Sequence, residues 1–96
     1  MKQEAILIDK KDNVATALRD LEESKTIEVG IEDHTLNIVL SQNIPFGHKF
    51  SLKGIEQGEA VIKYGETIGL ATKQIRQGEH VHVHNVESQK GRGDKR

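Results

Sequence analysis

Hydrophobic and polar residues alternate most regularly between residues 27 and 40. Every second residue is apolar from Ile27 to Ile31, and the same holds from Leu36 to Leu40. The short segment between the two runs, residues 32–34, is polar. Because successive side chains of a strand point to opposite faces, two period-2 runs around a short polar connection are typical of a β-hairpin. We therefore predict a hairpin over this region.

Upstream of the hairpin, the pattern predicts one strand and one helix. Ala5–Ile8 is a short apolar run, which is typical of a buried strand. Asp12 then precedes a set of apolar residues spaced i, i+3, i+4, i+7: Val14, Ala17, Leu18 and Leu21. Because Asp is a favoured N-cap and this spacing lines one helical face, we predict a helix of about three turns after Asp12.

Downstream of the hairpin, one short pattern occurs three times. Ile44–Phe50, Ile55–Val61 and Ile75–Val81 each contain an Ile, two residues, a Gly, two residues and a large apolar residue. A glycine adopts positive φ readily, so the pattern predicts a tight corner that leads into a strand. The fold class expected for residues 1–87 is thus one mainly β domain of short, bent strands with one short helix.

Composition removes several classes of function. The chain has 96 residues, only three aromatic residues and no cysteine. A stacking platform for single-stranded nucleic acid, a disulfide framework and a thiolate metal site are therefore excluded. The sequence shows no membrane span or signal peptide, so we expect a cytoplasmic protein without a membrane or nucleic-acid partner. Residues 88–96 are polar and basic, and we predict that they form a mobile tail or a linker.

The histidines are the strongest candidates for chemistry. His80, His82 and His84 alternate with Val81 and Val83. A continuous strand would place the three imidazoles on one face and bury the valines behind them. Neutral imidazole is a common transition-metal ligand, so His82 and His84 are candidate metal ligands. An equally open interpretation is a polar outer face that happens to be rich in histidine.

Three further candidates come from the corners and their neighbours. His48 follows the glycine of the first corner, where the other two copies have Glu, and it could complete a site with the other histidines. Lys63 precedes Tyr64 and a glycine bend, and a lysine there could pair with a substrate carboxylate. Asn85 lies beside His84 and could orient a neighbouring group. Each of these residues is also compatible with an ordinary surface or core role.

Three segments in this order resemble the SAF-type N-terminal domain of the altronate/galactarate dehydratase family: Ile44–Lys49, Val61–Gly69 and Gly78–Val86. The same segments are similar to the small subunit of sulfolactate sulfo-lyase, a sister enzyme. The resemblance implies a β-clip fold, which agrees with the repeated corners. It also implies removal of water, or of sulfite, from a hydroxylated carboxylic acid with iron or another divalent metal.

The resemblance also implies which residues and partners take part. His48, Lys63 and His84 become candidate catalytic residues, while Lys63, Tyr64 and Asn85 become candidate substrate contacts. The large catalytic portion of the family is missing, so we expect a large catalytic subunit as partner, a small sugar acid as substrate and little activity of the chain alone. The alternatives are a sulfo-lyase small subunit and a non-catalytic ligand-binding module. Self-association into a homo-oligomer is left open.

Overall fold

The computed structural model describes residues 3–31 and 34–88, which contain strands, turns and bends and no helix. The strands of this part are β1 (Ala5–Ile6), β2 (Val14–Ala17), β3 (Thr26–Ile31), β4 (His34–Val39), β5 (Lys49–Ser51), β6 (Ala60–Lys63), β7 (Glu66–Ala71), β8 (His80–Val81) and β9 (Val86–Ser88). They form three antiparallel sheets with strand orders β1-β2-β5-β8, β3-β4 and β6-β7-β9. The mainly β fold class is confirmed.

The predicted helix after Asp12 is wrong, because this segment forms strand β2. β2 lies between β1 and β5 and is covered on both faces: Val14 packs into one hydrophobic cluster, and Ala15 and Ala17 pack into another. A strand that is buried on both faces carries apolar residues at adjacent positions, and this run matched a helical spacing by coincidence. Asp12 instead accepts backbone hydrogen bonds from Tyr64 and Gly65, at 3.1 and 2.8 Å.

The predicted hairpin is confirmed as β3–β4. Its register is continuous from the pair Thr26–Val39 to the pair Ile31–His34. Ile27, Val29 and Ile38 are fully buried, so one face of the hairpin supplies much of the first hydrophobic cluster. The apolar positions of the alternating sequence therefore form the buried face of the hairpin.

The three predicted corners are also confirmed. Gly47, Gly58 and Gly78 have φ values of 84°, 89° and 84°, and the isoleucine at the start of each corner is buried. Each corner closes with the same hydrogen bond, donated by the residue after the glycine to the carbonyl three residues earlier. Gly78 has a second requirement, because a Cβ there would lie 2.1 Å from the carbonyl oxygen of Val39.

A fourth corner, at Leu21–Ile27, has the same construction but lacks the glycine. Ser24 takes the left-handed position with φ 74°, and Lys25 donates the closing hydrogen bond to Glu22. The corners meet in pairs, since Leu21 bridges Ile44 and Ile55 bridges Ile75 through reciprocal backbone hydrogen bonds. The sequence pattern missed this corner because it depended on glycine.

The β1-β2-β5-β8 sheet separates two hydrophobic clusters, and its edge strand β8 begins with His80. Phe50 of β5 packs in the first cluster, whereas Val81 of β8 packs in the second. Ser88, predicted as the first tail residue, ends β9, and residues 89–96 of the predicted tail lie outside the described residues. Within the described ranges, no helix is long and apolar enough to cross a membrane.

Candidate metal and substrate site

The pairing of β5 with β8 brings His48 to the other histidines. Lys49 pairs with Val81 and Phe50 pairs with His80. Continuing this register by one residue places His48 opposite His82, and residues 48, 80 and 82 on one face of the two strands. The expectation that His48 approaches the histidine strand is therefore confirmed.

The three imidazoles are close enough to share one ion. Nδ1 of His48 lies 2.8 Å from Nε2 of His80, and the rings of His48 and His82 stack with centroids 4.5 Å apart. One nitrogen from each of the three rings lies within 4.8 Å of the others. Ligand nitrogens around a tetrahedral ion with bonds of 2.0–2.1 Å are about 3.4 Å apart. The nitrogen spacing of this stacked group, named here the histidine triad, is therefore compatible with one shared metal ion.

The electrostatics around His80 and His82 favour their neutral imidazole forms. Burial and the neighbouring charges of His48, His84, His82 and Lys49 lower the pKa of His80 to about 4. The pKa of His82 is also lowered, by burial and then by His48, Lys49 and His84. A metal binds the neutral form of histidine, so these shifts keep His80 and His82 in the form that metal coordination would need.

Asn85 stabilises the turn that begins at His82, the last residue of the triad. Its Oδ1 accepts the backbone N–H of His82 at 2.9 Å, and its Nδ2 donates to the carbonyl oxygen of His80 at 2.8 Å. Asn85 is fully buried, and its backbone N–H closes the turn by donating to the carbonyl oxygen of His82. Asn85, predicted to contact substrate, thus holds the backbone on which two triad histidines stand.

This turn changes the placement of the residues after His82. Strand β8 ends at Val81, so the predicted continuous histidine strand is wrong beyond that point. Val81 is buried as expected, but Val83 is 81% exposed, which contradicts its predicted burial. His84 is exposed and contacts His80 at a centroid distance of 5.2 Å, but it lies outside the triad. Of the two predicted metal ligands, His82 therefore belongs to the triad, whereas His84 lies beside it.

Lys63 and Tyr64 lie at the hairpin turn between β6 and β7. Tyr64 and Gly65 both have positive φ, 61° and 73°, as a two-residue hairpin turn requires. Nζ of Lys63 lies 4.7 Å from the centroid of the Tyr64 ring, which is 58% exposed. Lys63 also acts on Lys49, whose pKa is lowered by burial and then by the Lys63 charge.

Lys49 is a candidate site residue that the sequence analysis did not identify. It lines a cavity of about 240 Å³ together with Ile68, His82, Val83, Val86 and Ser88. A larger cavity, of about 630 Å³, is lined by carboxylates including Asp20, Glu22 and Glu23 and by none of the described histidines. The larger cavity is therefore acidic, whereas the lining of the smaller one includes the basic residues Lys49 and His82.

Comparisons with known proteins show similarity to two dehydratases. The chain is 37% identical over 83 residues to altronate dehydratase of Bacillus subtilis and 47% identical over 81 residues to altronate dehydratase of Escherichia coli. These matches cover 86% and 84% of this chain but only 16% of each relative. The chain thus spans about one sixth of the length of these dehydratases.

A shorter protein is also similar. The alpha subunit of (2R)-sulfolactate sulfo-lyase from Chromohalobacter salexigens is 46% identical over 59 residues, which are 62% of this chain and 63% of that subunit. The family model described as "Altronate/galactarate dehydratase SAF domain" matches residues 3–89, nearly the whole chain. This chain therefore belongs to the altronate/galactarate dehydratase SAF-domain family.

Proposed function

We propose that this chain supplies the SAF portion of a lyase that removes water from a sugar acid of the altronate or galactarate type. It works together with a larger catalytic portion. The observation that carries the proposal is the convergence of His48, His80 and His82 from two different corners of the fold. These rings are only partly buried, so a second protein surface is needed to enclose a substrate over them.

The donor set fits a divalent metal. Imidazole nitrogens suit iron, zinc and other transition metals, and three histidine ligands leave coordination positions for substrate or for the partner. Bound there, iron or another divalent ion would polarise a substrate oxygen and so help a hydroxyl group to leave. His48, His80 and His82 would hold the ion, and Asn85 would keep two of them in place.

We assign the remaining candidate residues to the other steps of a dehydration. The reaction removes a proton α to the carboxylate and a hydroxyl group from the β carbon, and the resulting enol becomes a 2-oxo acid. This chemistry needs a base and an acid at the substrate, and a cation near its carboxylate. His84, exposed beside His80, is placed to exchange protons with solvent or substrate. To Lys63 and the neighbouring Tyr64, which contact each other at the turn between β6 and β7, we assign the binding of a substrate carboxylate or hydroxyl group.

The test is reconstitution. The chain is combined with the catalytic portion of a family member and with Fe²⁺, and formation of the 2-oxo acid from altronate is followed. We expect turnover only in the combined sample, and a loss of at least about a hundredfold for His80→Gln, within the range for removing a catalytic group. His34→Gln is the matched control, since residue 34 pairs with residue 31 in the separate β3–β4 hairpin. Full turnover by the isolated chain, or by the His80→Gln complex, contradicts the proposal.

A sulfo-lyase is the second candidate, favoured by the similarity to the sulfolactate sulfo-lyase subunit. The same site would then face a substrate that loses sulfite. Sulfolactate in place of altronate, with release of sulfite as the readout, separates the two candidates. Binding of a sugar acid with no turnover of either compound in the combined sample would instead indicate a non-catalytic binding module.

A further inference from the structure

Lys49 is held in an unusual setting for a lysine. It is the first residue of β5 and is partly buried between β2 and β8, opposite Thr16 and Val81. Its cavity is lined on the other side by Ile68 and Val86, which also pack against the second hydrophobic cluster. A lysine in an apolar cavity loses part of its hydration, so its charge acts strongly on whatever occupies the cavity.

No carboxylate compensates this charge within residues 3–31 and 34–88. The ammonium group of Lys49 has neither an ion pair nor a hydrogen bond there. The charged groups that interact with Lys49 are instead basic. The Lys63 charge lowers the pKa of Lys49, and the Lys49 charge helps to lower the pKa values of His80 and His82. Lys63 contacts the ring of Tyr64, which does not neutralise it.

Two partly desolvated cations without a counter-charge repel each other and destabilise the folded chain. An oxyanion bound at Lys49 in the cavity would offset that repulsion. Among the residues that the structure describes, none that lines the cavity carries an acidic side chain that would oppose such a ligand. The volume of about 240 Å³ is below that of a pocket for a drug-sized molecule and suits one end of a small acid.

We propose that Lys49, supported by Lys63, binds the carboxylate or sulfonate group of a small hydroxy acid. The ligand then extends along His82, which belongs to both the cavity and the histidine triad, so its hydroxyl groups lie at the triad. The binding of an oxyanion follows from the chain's own charges, while the identity of the acid rests on the proposed function. Lys49 is thereby a specificity residue that selects acids over neutral sugars.

The test uses the full 96-residue chain, freed of metal with a chelator, and follows the lysine side-chain resonances by NMR. Lactate offers a carboxylate alone, 2-hydroxyethanesulfonate offers a sulfonate alone, altronate is the larger acid and altritol is its uncharged analogue. We expect saturable shifts at Lys49 and Lys63 with at least one oxyanion and none with altritol. Lactate against the sulfonate shows which head group is preferred.

Substitutions identify the residue responsible. Lys49→Gln, and Lys49→Met as a second variant that keeps the apolar stem, should weaken binding of the preferred acid at least about tenfold, which corresponds to about 1.4 kcal/mol. Lys73→Gln is the control, because Lys73 is exposed and lies elsewhere. A dispersed amide spectrum confirms that each variant is folded.

Two results would overturn the proposal: equal shifts with altritol and altronate, or unchanged affinity in both folded Lys49 variants. Because these measurements need neither metal nor a catalytic portion, they are independent of turnover. Binding lost in the Lys49 variants but no turnover after reconstitution would refute the proposed function alone. Turnover without any dependence of acid binding on Lys49 would refute this inference alone.

Discussion

Nδ1 of His48 lies 2.8 Å from Nε2 of His80, although 32 residues separate them in the chain. Two of the corners create this contact, since His48 directly follows Gly47 of one corner and His80 lies two residues after Gly78 of another. The candidate site thus depends on how the corners are built, and on the buried asparagine that turns the chain after His82.

The corner before His80 should tolerate no side chain at its glycine. Gly78→Ala would impose a left-handed φ on alanine and force its Cβ against the carbonyl oxygen of Val39. Gly58→Ala is the matched control, with a similar φ but open space around the added Cβ. We expect Gly58→Ala to lower the free energy of unfolding by about 1–2 kcal/mol and Gly78→Ala to lower it clearly more, as measured by urea unfolding. Equal losses would show that the contact with Val39 does not constrain the corner.

Asn85 should stabilise both the fold and the triad. Asn85→Ala leaves a backbone N–H of His82 and a carbonyl of His80 without their partners, at a cost of about 2–4 kcal/mol. Asn43→Ala, which removes one exposed bond to the Glu23 N–H, should cost less than about 1 kcal/mol. Thermal unfolding of both variants tests this, and a smaller loss for Asn85→Ala than for Asn43→Ala contradicts the structure of the turn.

The valines on either side of His82 should differ. Val81 is fully buried in the second hydrophobic cluster, so Val81→Ala should lower the free energy of unfolding by about 1–3 kcal/mol. Val83 is exposed, so Val83→Ala should change it by no more than about 0.5 kcal/mol. Urea denaturation of the two variants gives the comparison directly. Equal, large losses would instead indicate that Val83 is buried, as in the continuous strand that the alternating sequence predicted.

Protonation of His80 should make the free energy of unfolding depend on pH. Burial and nearby positive charges lower its pKa to about 4 in the folded chain, whereas the unfolded value is near 6.5. The unfolded chain therefore takes up this proton first, and the contribution of His80 to stability is lost as the pH falls from about 6.5 to about 4.

A comparison isolates this histidine from the other titrating groups. In His80→Gln, the free energy of unfolding should fall less steeply across the same pH window, with metal removed by a chelator. Histidine NMR resonances give the pKa itself. Parallel stability curves, or a His80 that titrates near pH 6.5, would contradict the environment described for the triad.

Much of the fold could be predicted because local features determine it. The hairpin followed from period-2 alternation, and three corners followed from glycines that must adopt positive φ. The fourth corner was missed because Ser24 accepts the same φ without being glycine. The helix was wrongly predicted because a strand buried on both faces carries apolar residues at adjacent positions, and some of these match helical spacing.

The site was less predictable because long-range pairing assembles it. His48 was identified as an exception among the corners, but its place opposite His82 depends on the β5–β8 register. The turn after His82 depends on side-chain hydrogen bonds of Asn85, which no hydrophobic pattern reveals. Lys49 resembles any surface lysine in the sequence, and only the packing around β5 shows its cavity.

We propose that His48, His80 and His82 together hold one divalent ion. Titration of the full chain with Co²⁺, followed by its visible absorption, tests this most directly, with His84→Gln as the matched variant just outside the triad. We predict one Co²⁺ per chain for wild type and for His84→Gln, and at least about a tenfold weaker affinity, about 1.4 kcal/mol, for His48→Gln, His80→Gln and His82→Gln. Loss of binding in His84→Gln with retention in His48→Gln and His80→Gln would contradict the claim.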